Sequence, residues 1–134
     1  MKASQLLAEA ADLLERDGWQ QGAYVNPITG CRCAEGAVWK HKVERVPTPA
    51  LFNPDAFVYR NTSLMGDVPS RELIEVDEAV ANAVWQVLGD MGLQSYGKSG
   101  ALIRYNDTPG RTAVEVTTLL RKASEVATEN EKES

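Results

Sequence analysis

A mostly α fold is what this sequence predicts: a compact, irregular helical domain of three to four helices, with room for one short two-stranded pairing that would make it α+β. Two observations lead there. Apolar residues recur at three- and four-residue intervals in three separate stretches, as a helix with one buried face requires. The 134 residues amount to one domain, long enough to hide roughly two-thirds of the unfolded chain's surface without disulfides or a metal.

The first helix takes Ala3, Leu6, Leu7, Ala10, Ala11, Leu13 and Leu14 on its buried face, with Glu9, Asp12, Glu15 and Arg16 opposite and Gly18 as the stop. A shorter helix is expected from Cys33 to about Lys40, where Ala34, Ala37 and Val38 favour it. The next long helix starts near Ser70 or Asp77. It carries Leu73, Val76, Val80, Val84, Leu88 and Met91 on one stripe, widened by Trp85 and Val87, and ends at Gly92. The last helix opens with Thr112-Ala113-Val114-Glu115, a capping box, and Val116, Leu119, Leu120 and Ala123 continue its buried face.

Pro47, Pro49, Pro54 and Pro69 crowd the connection at 43–69, where each removes a backbone donor and disfavours helix before it. Ala56-Phe57-Val58-Tyr59 and Ala101-Leu102-Ile103-Arg104-Tyr105 read as two short strands that would pair. Residues 1–128 are therefore expected as one globular domain, and 129–134 as an acidic flexible tail.

Fourteen Lys and Arg against nineteen Asp and Glu leave a net charge of −5, the wrong sign for a general nucleic-acid binder. The stretch from Arg32 to Arg60 mixes Lys40, His41, Lys42 and Arg45 with Trp39, Phe57 and Tyr59, yet its net charge is only +2. No run approaches a membrane-spanning length, and Glu9, Asp12 and Glu15 interrupt the only N-terminal apolar stretch, so a cytoplasmic protein is expected. Cys31 and Cys33, one residue apart, are expected as reduced thiols.

The order Trp19 and Gly22, then Cys33-Ala34-Glu35-Gly36-Ala37, then Tyr105-Asn106-Asp107, then Gly110-Arg111-Thr112 before Glu115-Val116 resembles a small domain family of unknown function encoded by actinobacteria and bacteriophages. The likeness covers the two ends of the chain and skips 43 to about 75, and Cys31 is an addition to the pattern. It implies no activity, substrate or cofactor.

Cys33 at a helix start is the setting of a lowered thiol pKa, hence of a nucleophile. Gln21-Gly22 upstream of it resembles the Gln-Gly…Cys order of papain-like proteases. The sole histidine, His41, lies eight residues on; along one helix that is about 12 Å from Cys33 and on another face. A small buried residue packing near Trp19 explains Cys33 without chemistry. Asp107, within Asn106-Asp107-Thr108-Pro109-Gly110, is the candidate general base, although these residue types also build ordinary turns. Cys31, Cys33 and His41 offer at most three soft metal ligands, so no metal site is expected. Gly97-Lys98-Ser99, with Gly92 five residues ahead, has the spacing of a phosphate loop, but it follows an expected helix and not a strand, so it is read as a turn and no cofactor is expected.

The function expected is docking of another protein, with Phe52, Phe57 and Tyr59 of the long connection as contact residues, since proline stiffness and aromatic area suit a binding loop. A second copy of the chain is an admissible partner; nucleic acid and membrane are not expected. The alternative is a thiol-based hydrolase or transferase using Cys33.

Overall fold

A computed structural model describes residues 2–26, 28–40, 43–45, 59–61, 70–94 and 97–133, with the backbone alone at 43–45, 59–61, 70 and 73. It is mostly helical. The elements are α1 (Ala3–Asp17), α2 (Ala34–Val38), β1 (Val43–Arg45), β2 (Tyr59–Asn61), α3 (Ser70–Asp90), α4 (Ala101–Asp107) and α5 (Ala113–Lys132).

The buried face of α1 is the one its periodicity marks, Ala3 through Leu14, and it lies against α5. The alanines Ala10, Ala11 and Ala123 are fully buried where the helices meet, so the backbones approach closely and Leu7, Leu119 and Leu120 fill the space beside them. Burying each such leucine contributes roughly 1.5–3 kcal/mol relative to leaving it exposed. Polar contacts set the direction: Arg121 pairs with Asp12 at 3.0 Å and Glu15 at 2.8 Å, while Ser4 Oγ donates to Glu131 at 2.5 Å, so the two helices run antiparallel. α3 packs on α5 and α1 through Val76, Val80, Ala83, Val84, Val87 and Leu88, and α4 bridges α2 and α3. Among the described residues, no helix is long and apolar enough to cross a membrane.

Four expectations are corrected. Residues 101–105 are not a strand but the start of α4, a fifth helix, because Ala101, Leu102 and Tyr105 meet the core on one helical face. The antiparallel pair is instead Val43–Arg45 with Tyr59–Asn61, in the register Val43 opposite Asn61; Ala56, Phe57 and Val58 lie outside the described residues. Met91 falls past the end of α3 and is exposed, since Gly92 takes φ 73° and turns the chain. The acidic end is helical through Lys132, held by the Glu131 carboxylate, which accepts from both Ser4 N and Ser4 Oγ.

The cap of α5 is as the sequence predicts. Thr112 Oγ1 accepts from Glu115 N at 3.3 Å, and Glu115 Oε1 accepts from Thr112 N at 2.9 Å. Thr112→Ala should cost about 1 kcal/mol, read as a lower urea midpoint. The Thr112 backbone N–H and hydroxyl, helped by Arg111, hold the Glu115 carboxyl below its ordinary range. A depressed folded-state value means that this contribution is present above the ordinary glutamate range and is lost as pH falls through the depressed one. The stability gap between Thr112→Ala and the parent should therefore narrow in acid.

Candidate functional site

α1 ends at Gly18, whose φ of 103° and whose contact side both require glycine: an added Cβ would stand 2.7 Å from Cys31 Sγ. From there the chain loops out and returns. Arg32 N donates to Gly18 O and Gln20 N donates to Arg32 O, each at 3.0 Å, while Cys33 N reaches Tyr24 O at 3.2 Å. These bonds bring the Trp19–Gly22 step beside the start of α2.

Asn106, in the last turn of α4, holds that junction shut. Its side chain is fully buried and uses both ends. Oδ1 accepts from Trp19 Nε1 at 2.7 Å and from Ala34 N at 2.9 Å; Nδ2 donates to Gln20 O at 3.1 Å and to Asp107 Oδ1 at 2.9 Å. An amide can make about four hydrogen bonds, and this one makes them all. Asp107 Oδ1 also accepts from Gly22 N at 3.0 Å, with Gly22 at φ 88°. Gln21 Nε2 donates to the carbonyls of Asn106 (3.0 Å) and Thr108 (2.8 Å), two of the acceptors that the end of α4 leaves open. Gln21 thus caps the end of α4. The reading of Asn106 and Asp107 as turn residues is corrected likewise: both are helical, and the turn begins at Thr108.

Cys33 is the N-cap of α2. Its Sγ accepts from Gly36 N at 3.4 Å, and the side chain is buried. Burial pushes the thiol up; the backbone N–H groups of Gly36 and Glu35 pull it down, and the charges of Glu35 and Asp107 raise it further. The net direction is up, opposite to what the helix start alone suggests, because desolvation outweighs the amide bonds. A thiol reagent should accordingly modify half-buried Cys31 before Cys33, with the Cys33 rate rising only above the ordinary thiol range. Fast labelling of Cys33 near neutral pH would contradict this.

Gly36 serves close approach. An added Cβ would lie 2.1 Å from Tyr24 O. Thr112 is tied to the same corner through Arg111, whose Nε donates to Tyr105 O at 2.9 Å, whose Nη1 pairs with Glu115 at 3.1 Å, and whose guanidinium lies 3.8 Å from the Tyr105 ring centre.

Trp19, Gly22, Cys33, Asn106 and Asp107 are therefore brought together, while Gly36 and Thr112 brace the helices on either side. Gly22, Cys33 and Asp107 line a cavity of about 280 Å³ with Ala23, Tyr24 and Ile103. Of the expected contact residues, Phe52 and Phe57 lie outside the described residues, as does His41, and Tyr59 is described only through the backbone of β2. Sequence reasoning missed the roles of Gln21 and Arg111, although Arg111 precedes the capping box directly. Among the described residues, no group of three or more His, Cys, Asp or Glu side chains is placed to hold a metal ion.

The profile of a family of unknown function (DUF6197) matches residues 1–126, and the chain belongs to that family. No curated protein and no solved structure matches it.

Proposed function

We propose that the chain, a member of this family, is a small cytoplasmic protein-interaction module of phage or actinobacterial origin that docks another protein. The observation that supports docking over thiol chemistry is the surroundings of Cys33. A nucleophilic cysteine needs its thiolate favoured and a base within hydrogen-bond reach. Here the sulfur caps Gly36, is desolvated, and feels the carboxylates of Glu35 and Asp107, all but the cap disfavouring the thiolate. The motif residues likewise spend their polar groups on one another, which is what a scaffold does.

Affinity capture with the parent and Cys33→Ser as baits tests the choice, since serine preserves the cap. Docking predicts the same stoichiometric partner on both. No stoichiometric partner on either, together with ester hydrolysis that Cys33→Ser lacks, would establish the hydrolase alternative instead.

Phe52, Phe57 and Tyr59 remain contact residues in this reading. Phe52→Ala or Tyr59→Ala should weaken capture while leaving the thermal midpoint within a few degrees; unfolding on either truncation would make the segment core and place the contact elsewhere.

A further inference from the structure

We propose that the face centred on Ile103 of α4 receives a basic amphipathic segment of the docked partner, its apolar side chains in the groove between α3 and α4 and its Lys or Arg side chains on the acidic rim. The proposal rests on the docking reading above and adds a second contact face, distinct from the Phe52, Phe57 and Tyr59 segment, and the chemistry of what it holds.

Two concavities meet at Ile103. The larger, about 460 Å³, is floored by Val80 and Val84 of α3 and by Leu102 and Ile103 of α4. Asp77 and Glu78 from α3 and Glu35 from α2 stand on its walls. The smaller is the cavity of about 280 Å³ on the other side of Ile103, where Asp107 is the charged lining residue. Four carboxylates thus flank one apolar ridge. Lys98 is the one cation among the described residues that line either space, and its Nζ donates to Asn82 Oδ1.

An apolar groove with a mainly acidic rim, three carboxylates against Lys98, selects its occupant twice. Apolar contact supplies most of the affinity, as when an amphipathic helix lies in a groove. The rim supplies direction: it attracts a basic segment, rejects an acidic one, and acts mainly on association rate in a salt-dependent way. Individual ion pairs at exposed carboxylates such as Asp77 and Glu78 are weak, so the rim alone would hold nothing. A second copy of this chain, itself at net charge −5, is the wrong partner for such a rim.

The test uses the full chain and a fluorescent amphipathic peptide of leucine and lysine at helical spacing, against the same peptide with glutamate in place of lysine, read by anisotropy. The lysine peptide should bind and the glutamate peptide should not. Asp77→Lys with Glu78→Lys should weaken binding about tenfold or more, whereas Glu125→Lys with Glu129→Lys, on the exposed side of α5, should change it by less than about twofold. If the charge reversal disturbs folding by circular dichroism, Asp77→Asn with Glu78→Gln should give a smaller loss in the same direction. Failure of the lysine peptide to bind, or equal loss with either pair of substitutions, overturns the proposal. A captured natural partner that ignores the Asp77 and Glu78 changes also overturns it while leaving docking intact; capture of no partner removes docking itself.

Discussion

Asn106→Leu should lower the unfolding free energy by about 3 kcal/mol or more, a large share of the roughly 5–15 kcal/mol that a domain possesses. Leucine is close in size, so the loss is one of hydrogen bonding. Trp19 Nε1 and Ala34 N each lose their acceptor and Gln20 O loses its donor, all at a side chain with no exposed surface. A buried polar group left unpaired costs roughly 1–3 kcal/mol. The urea midpoint should fall with an unchanged slope. Asn106→Asp separates the two halves of the amide: a carboxylate still accepts from Trp19 and Ala34, but it points an oxygen at Gln20 O and at the Asp107 carboxylate. Protonation restores a donor there, so the deficit of Asn106→Asp should shrink as pH falls, while that of Asn106→Leu should not.

Gly36→Ala should be the costliest glycine substitution among those the described helices contain. The new methyl would meet a backbone oxygen, Tyr24 O, at 2.1 Å, and that carbonyl is fixed by Cys33 N at 3.2 Å. Either α2 or the Tyr24 loop must move, which breaks the bond and loosens the entry to the helix. Overpacking of this kind costs about 1–3 kcal/mol or more. Gly89→Ala is the comparison. There the methyl meets the end of a flexible side chain, Gln94 Nε2 at 2.6 Å, which can swing away, and alanine gains about 1 kcal/mol of helix propensity in exchange. Thermal midpoints should separate the two variants by several degrees. Equal midpoints would mean that the Tyr24 loop yields freely.

The parts of this fold legible in the sequence are those decided within a few residues. The stripe of α1, the stop at Gly18 and the Thr112–Glu115 cap depend on neighbours three or four positions away, and spacing shows them. α4 was not legible because Ala101 to Tyr105 is short, apolar and partly β-branched or aromatic, a run that periodicity cannot assign. Its helical state follows from Leu102 and Tyr105 meeting a core that other segments build. The clasp could be seen only as an order of motif steps. Asn106 finds Ala34 across 72 residues and Trp19 across 87, and nothing in local composition announces either partner. For Cys33 the local rule pointed the wrong way, since a helix start lowers a thiol's pKa and the burial that reverses it is a property of the assembled domain.

The central claim, that the motif steps form one structural clasp through Asn106, is tested most directly by a double-mutant cycle. Trp19→Phe removes the indole N–H and keeps an aromatic ring; Asn106→Leu removes its acceptor. Urea unfolding of the parent, the two single variants and the double variant should give a coupling of about 1 kcal/mol or more, with the double variant less destabilised than the sum. Effects that add to within about 0.3–0.5 kcal/mol would mean that Trp19 and Asn106 contribute independently, and would contradict the clasp.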